Sequence, residues 1–411
     1  MQPVDPALAA RVAREQGTPY YLYDAGVMRE RLARLSGFDV VRYAQKACSN
    51  IHVLRLLREA GARVDAVSRG EIERALRAGF TAEGDPAGLV YTADVLDDPT
   101  LSRVTELGIP VNAGSPDMLE QLGRRAPGHR VWIRVNPGFG HGHSRKTNTG
   151  GPLSKHGVWH EYLDEALRHV EKYRLDLVGL HMHIGSGTSI EHLKQVCEAM
   201  VEQVRALGVD VRAISGGGGL PIPYRSGDEP FDTTALHALW DAARRRVAKM
   251  VGHPVSLEIE PGRYLVAEAG VLVAEVRAVK RTGANRFLLL DAGFNDLMRP
   301  AMYGSYHAIS IVRRDGSPAA GTTQPTVVGG PLCESGDVFT QEEGGIVVPR
   351  ELPDAQVGDY AVLHDAGAYG ASMASNYNTR GLAPEVLLDG GRTRLIRRRQ
   401  TIEELLALEE V

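Results

Sequence analysis

Through the first 265 residues, short apolar or alternating runs trade places with longer segments whose apolar positions recur every three or four residues. The strand-like runs are VVRYAQKA (40–47), RVDAVS (63–68), LVYTA (89–93), PVNAGS (110–115), RVWIRVNP (130–137), LDLVGLHMHIG (175–185), VRAISGG (211–217) and VSLEIEPG (255–262). Between them lie helical patterns such as IHVLRLLREAG, RGEIERALRAGF, PDMLEQLGRRA, HLKQVCEAMVEQVRALG and ALHALWDAARRRVAKMVG. Eight strands alternating with helices predict an α/β fold, a (β/α)8 TIM barrel, with a doubly wound open sheet as the alternative. Ahead of the barrel, VDPALAARVAREQG offers Asp5 as N-cap, Pro6 at the first helical position and Gly17 as a stop, so a short leading helix is expected.

Beyond Gly270 the texture changes to β-branched and aliphatic runs broken by Gly, Pro and Asp, which predicts a second, β-rich domain of sandwich or barrel-like form. The expected organisation is a barrel over 25–265 and a β-rich domain built from 1–24 and 266–411. Thr401 and Glu404 can form a capping box for a terminal helix. One long irregular stretch, GFGHGHSRKTNTGGPLSKHG (138–157), reads as a lid over a site or as plain disorder.

Composition narrows the function classes. With 43% hydrophobic and 24% charged residues the 411-residue chain is globular, and a formal charge of −4 gives no basic field for nucleic acid or anionic lipid. The run Arg397-Arg398-Arg399 reads as a solvated strand end. Cys48, Cys197 and Cys333 are odd in number and widely spaced, which suggests neither a disulfide framework nor a thiolate metal site. No apolar run approaches the ~18 residues of a membrane span, and a cytoplasmic, soluble protein is expected, with no nucleic-acid or membrane partner.

In a barrel of this kind the site lies at the C-terminal ends of the strands. Those ends carry Lys46, then Asp65 and Ser68, Arg134 and Asn136, His181, His183 and Ser186, a run of four glycines from Gly216, and finally Glu260 and Arg263. A lysine beside Tyr43, Ala44 and Ala47 is either a snorkelling surface residue or an amine placed for chemistry. A glycine run lets backbone N–H groups close on a phosphate, or simply makes a tight corner; Arg263 on the next strand end offers a bidentate partner for the same anion. Amine, phosphate cradle, flat imidazole and carboxylate together fit pyridoxal 5'-phosphate: Lys46 attaches its aldehyde, His183 stacks on its ring, and Glu260 keeps the pyridine nitrogen protonated. Against this stands a metal reading, since His181 and His183, two apart on a strand, face the same side; His181 also reads as a core or supporting histidine. The histidines of the 138–157 loop match no standard metal spacing.

The motifs YAQKACSN, HMHIGSG, SGGGGLP, EPGRYL, DAGFNDLMRPAMYGSYH, GPLCESGD and GAYGASMASNYN, in this order, resemble the fold-type III pyridoxal-phosphate decarboxylases from about Pro19 to the C-terminus. Within them, RVNPGFGHGHSRKTNTGG…SKHG is similar to the branch that converts meso-2,6-diaminopimelate to L-lysine and carbon dioxide, the last step of lysine biosynthesis. The resemblance implies that Lys46 binds the cofactor covalently and that His183, Ser186, Gly217, Gly218, Gly219, Glu260, Gly262, Arg263 and Tyr369 contact it. It implies Arg263, Arg299, Tyr303, Glu334 and Tyr369 as substrate contacts and Cys333 as proton donor. It also implies a homodimer with shared active sites, because Cys333 and Glu334 enter the family's site from the partner subunit. Ser215 departs from the pattern, where a small apolar residue is equally familiar. A racemase would want a tyrosine in place of the Cys333 segment, a non-catalytic cofactor carrier would lack the β-domain, and an inactive homologue would lose Lys46 or Cys333.

Overall fold

The computed structural model describes residues 4–140, 148–186 and 189–411. The chain divides into two compact units, one of Arg29–Pro221 and Phe231–Leu265, the other of the chain up to Met28 with Ile222–Pro230 and Val266–Val411. Ile222–Pro230 lies inside the span read from sequence as barrel.

The first unit contains β1 (Val40–Ala44), β2 (Arg63–Ala66), β3 (Leu89–Ala93), β4 (Val111–Ala113), β5 (Arg130–Asn136), β6 (Asp176–Met182), β7 (Ala213–Ser215) and β8 (Ser256–Ile259). Each pairs in parallel with the next, and β8 returns to β1 through Glu258 opposite Val40 and Ile259 opposite Val41. The sheet is therefore a closed TIM-like barrel, and the open-sheet alternative falls. The β8–β1 seam is pinned by Arg42, whose Nε donates to Glu258 Oε2 at 2.5 Å and whose Nη1 donates to the Ala87 carbonyl at 2.7 Å. Both side chains of that pair are only 2% exposed, a burial tolerable because each charge answers the other.

Polar residues just past the strands start the next helices. Asn50 Oδ1 accepts from the His52 amide at 2.9 Å and caps Ile51–Glu59. Ser68 Oγ accepts from the Glu71 amide at 3.1 Å and caps Arg69–Arg77. Ser68, counted from sequence among the polar strand ends, thus serves the helix.

The second unit is a nine-stranded sheet centred on the long strand Gly270–Thr282, which pairs with Tyr20–Asp24, Asn285–Leu290 and Tyr360–Leu363. The leading helix, Pro6–Gln16, is capped by Asp5, ends at Gly17 (φ +70°), and packs Ala9, Ala10, Val12 and Ala13 against Tyr20, Val273 and Val362. At the far end Thr401 and Glu404 form the expected capping box on Ile402–Leu406. The arginine run is more engaged than a solvated strand end: Arg397 Nη1 lies 2.9 Å from Glu385 Oε1, Arg398 pairs with Glu404, and Arg399 Nη2 donates to the Pro19 carbonyl at 3.0 Å. Among the described residues no helix is long and apolar enough to cross a membrane.

Candidate active site

Lys46 does not continue β1. It sits two residues beyond the strand in a single 3-10 turn, Gln45–Ala47, exposed between Gln45 and Ala47, which are both buried. Two bonds shape this turn: the Tyr43 hydroxyl donates to the Cys48 carbonyl at 3.0 Å, and Gln45 Nε2 donates to the Glu71 carbonyl at 3.2 Å. The turn after β8 comes against it, and a Cβ at Gly262 would lie 3.2 Å from the Ala44 carbonyl oxygen and 3.3 Å from the Ala47 Cβ. Glycine at 262 therefore lets the EPGR turn and the lysine turn touch.

Around the amine the charges are strongly perturbed. Burial, and after it the charge of Glu260, hold the Asp65 carboxyl well above the usual range, with Thr92 and Lys46 pulling the other way. Burial also raises Glu71, against the bond from the Val67 amide and the charge of Lys46. For Glu260, burial opposes ionisation, yet His181, Arg42 and Arg134 outweigh it and hold the group below the ordinary carboxylate range. His181 Nε2 lies 2.8 Å from Glu260 Oε2. His183 is half-buried, and burial followed by the charges of Arg134 and Lys46 holds its pKa well below the usual value, so the ring is neutral near pH 7.

The glycine run explains how β6, β7 and β8 converge here. At Gly217 (φ +62°) a Cβ would lie 2.6 Å from both the His183 Cβ and the Met182 carbonyl oxygen, and at Gly218 2.4 Å from the Glu260 carbonyl oxygen. The run is a tight corner: the Gly216 amide donates to the Glu258 carbonyl and the Gly217 amide to Ser215 Oγ, so an anion here would be met by the amides that follow. Gly219 (φ +95°) follows, Ser186 lies in the turn past β6, and Arg263, buried, opens the short helix Arg263–Val266 after β8. The unit thus brings Lys46, His183, Ser186, Gly217, Gly218, Gly219, Glu260, Gly262 and Arg263 to one end of the barrel.

Arg134 and Asn136 have different tasks from those their strand-end position suggested. Asn136 accepts from the Gly138 and Gly151 amides at 3.2 and 2.9 Å and donates to the Gly151 carbonyl at 3.0 Å, tying both sides of the 138–157 loop to β5. Arg134 Nη1 is 3.5 Å from His156, which itself pairs with Asp94 beyond β3. His141, His143 and the rest of 141–147 lie outside the described residues, so the expected lid is described only at its two ends.

In the second unit, Arg299 begins the helix Arg299–Tyr303 and is 5% exposed. Its Nη1 donates to His307 Nε2 at 2.9 Å, and the His307 Nδ1–H donates to the His364 carbonyl at 2.8 Å, an arrangement that assigns the tautomer. The Arg299 guanidinium also stands 5.1 Å from the centre of the Tyr224 ring. His307 and Tyr224 were not singled out from the sequence, although His307 closes the MRPAMYGSYH motif.

Cys333 and Glu334 are exposed in the PLCESGD loop. Asp337 organises that loop by accepting from the Phe294 and Leu332 amides at 2.7 and 2.8 Å, and Asn378 Oδ1 accepts from the Cys333 amide at 3.0 Å. Tyr369 adopts φ +59°, a left-handed conformation for a non-glycine residue.

A family model described as "Pyridoxal-dependent decarboxylase, pyridoxal binding domain" matches residues 28–267. The diaminopimelate decarboxylase of Streptomyces coelicolor is 65% identical over 98% of this chain and 92% of its own length. That of Escherichia coli K12 is 63% identical over 97% and 95%. A crystal structure of a diaminopimelate decarboxylase superimposes with a TM-score of 0.95 at 63% identity, covering 97% of this chain and 95% of that one.

Proposed function

The chain belongs to the diaminopimelate decarboxylases, and we infer that it removes carbon dioxide from meso-2,6-diaminopimelate to give L-lysine, with pyridoxal phosphate as cofactor. The observation that carries the reading is the meeting, at one end of the barrel, of an exposed amine, a carboxylate held ionised, a neutral imidazole and a bare glycine corner.

These residues fit the cofactor. A Cβ at Gly217 or Gly218 would collide with His183, Met182 or Glu260, so only glycine lets this corner form, and with Ser186 and Arg263 the run would take the phosphate. When bound, pyridoxal phosphate supplies an aldehyde for the substrate amine and a conjugated ring that accepts the electron pair left by the departing carboxylate. Lys46 would hold the cofactor covalently through its amine. His183, neutral, would pack against the ring without competing charge, while Glu260 would accept a hydrogen bond from the ring nitrogen and favour its protonated form. Cys333 gives its thiol proton to the carbon that has lost carbon dioxide and is restored from solvent. Arg299 and Glu334 read the substrate's distal carboxylate and amine, with Tyr303 and Tyr369 beside the substrate and Arg263 reaching both ligands.

Two copies share each site in this proposal, with Cys333 and Glu334 supplied by the second copy. The reaction is placed in the cytoplasm, where a free thiol persists. Incubating the protein with meso-diaminopimelate and pyridoxal phosphate, and assaying carbon dioxide and lysine together, tests the activity. Equal yields of the two are expected, and carbon dioxide without lysine, or neither, overturns the proposal. Ornithine turned over as readily would move the chain to the amine-forming decarboxylases.

A further inference from the structure

We propose that His181 is a positioning residue for the reaction: its Nε2–H, with the Ser215 hydroxyl as a second donor, fixes Glu260 as an oriented carboxylate acceptor. The inference rests on the reading of Glu260 as partner of the pyridine nitrogen.

His181, near the end of β6, is 1% exposed, and its Nε2 lies 2.8 Å from Glu260 Oε2. Its other nitrogen, Nδ1, is buried and has no hydrogen-bond partner among the described residues. A buried N–H with no acceptor is costlier to leave than a bare lone pair, so the proton belongs on Nε2, and the imidazole can only donate to Glu260. This use of His181 gives the HMH spacing a task other than metal binding: His181 lies on β6, His183 lies just past its end, and His181 is spent on the carboxylate.

The second oxygen of Glu260 is held as well. Ser215 Oγ lies 3.4 Å from Glu260 Oε1 and accepts the Gly217 amide hydrogen at 3.2 Å. With its oxygen occupied by that amide, the hydroxyl directs its own hydrogen toward the carboxylate. One residue thus links the glycine corner to the acid, which gives Ser215 a task that a small apolar residue at that position could not perform. Two fixed donors on β6 and β7 leave Glu260 little rotational freedom and favour its ionised form.

The test uses holoenzyme loaded with pyridoxal phosphate labelled with 15N in the ring, because the ring-nitrogen chemical shift reports protonation directly. The wild type is expected to show the protonated shift, and Glu260→Ala the neutral one. His181→Phe, which keeps a ring but no donor, is expected to move the shift toward neutral and to lower kcat roughly tenfold to a hundredfold with a smaller change in KM, the usual cost of losing a hydrogen-bonded supporting partner. His181→Gln, whose amide N–H reaches Oε2, is expected to recover most of both readouts. His181→Met replaces the phenylalanine variant should the latter fail to fold. A wild-type shift and kcat in the donor-less variant, with Glu260→Ala defective, overturns the role of His181 and leaves Glu260 standing. An unchanged shift in Glu260→Ala overturns the reading of Glu260 and the inference with it.

Discussion

Lys46 is the residue on which the proposed chemistry turns, and its setting makes a sharp expectation possible. It is the exposed member of a turn whose neighbours are buried, and its charge is felt by Asp65 and Glu71. Borohydride treatment of the holoenzyme should fix the pyridoxyl group on Lys46, and peptide mapping that finds it on another lysine overturns the assignment. Cys333→Ala should lower decarboxylation by ~10²–10⁴-fold while the cofactor's absorbance is retained, since a positioned acid contributes about that much. Full activity in that variant would assign the proton to water or another group. Lys46, His183 and Glu260 could be picked out by reading because each sits in a short, chemically odd motif at a strand end. Asp337 and His307 could not, because their value lies in bonds to Phe294 and to the His364 carbonyl, 43 and 57 residues away along the chain.

Elements were legible wherever a periodic pattern ran against a clear stop. All eight barrel strands fall within the runs that predicted them, because strands buried on both faces are written in continuous apolar residues. Their ends were overdrawn: the run 40–47 stops pairing at Ala44, since Gln45, Lys46 and Ala47 are folded into a turn. The apolar pattern gives no sign of that change. The segment after the strand Asn285–Leu290 offers a test at this scale. Asp296 there is 2% exposed, accepts from the Gly293 amide at 3.1 Å, and is pushed by burial up to about 6.

The folded state therefore keeps a proton on Asp296 that the unfolded chain releases near its ordinary value. Stability from this group is fully present below the unfolded pKa and is lost as pH rises through the folded one. Asp296→Asn keeps a side-chain acceptor and does not titrate. Urea unfolding at pH 4 and pH 7 should show the variant gaining on the wild type by roughly 2 kcal/mol across that interval. A constant difference between the two proteins would place the Asp296 pKa at its ordinary value.

At the scale of the molecule, a barrel and a β-rich unit were both visible in the change of texture near Gly270, but the membership of Ile222–Pro230 was not. That segment, IPYRSGDEP, has the Pro, Gly and charged make-up of any barrel loop, and what ties it to the β-rich unit includes Arg225, whose guanidinium stacks 4.4 Å from the Tyr306 ring and lies 3.4 Å from Glu342. The remaining question at this scale is how many chains make one site. If Lys46 of one copy works with Cys333 of another, two inactive variants should rescue each other. Lys46→Ala lacks the covalent anchor and Cys333→Ala lacks most of its proton donation, so each homodimer carries two defective sites. In a two-fold heterodimer one site inherits both lesions and the other inherits neither. Random pairing of equal amounts makes about half the dimers mixed, so roughly one quarter of all sites should be native in composition. Co-expression with different affinity tags lets the mixed dimers be isolated, and those should recover about half of the wild-type activity per dimer, one native site of two. Mixed dimers as inactive as their parents would show that Cys333 serves its own chain.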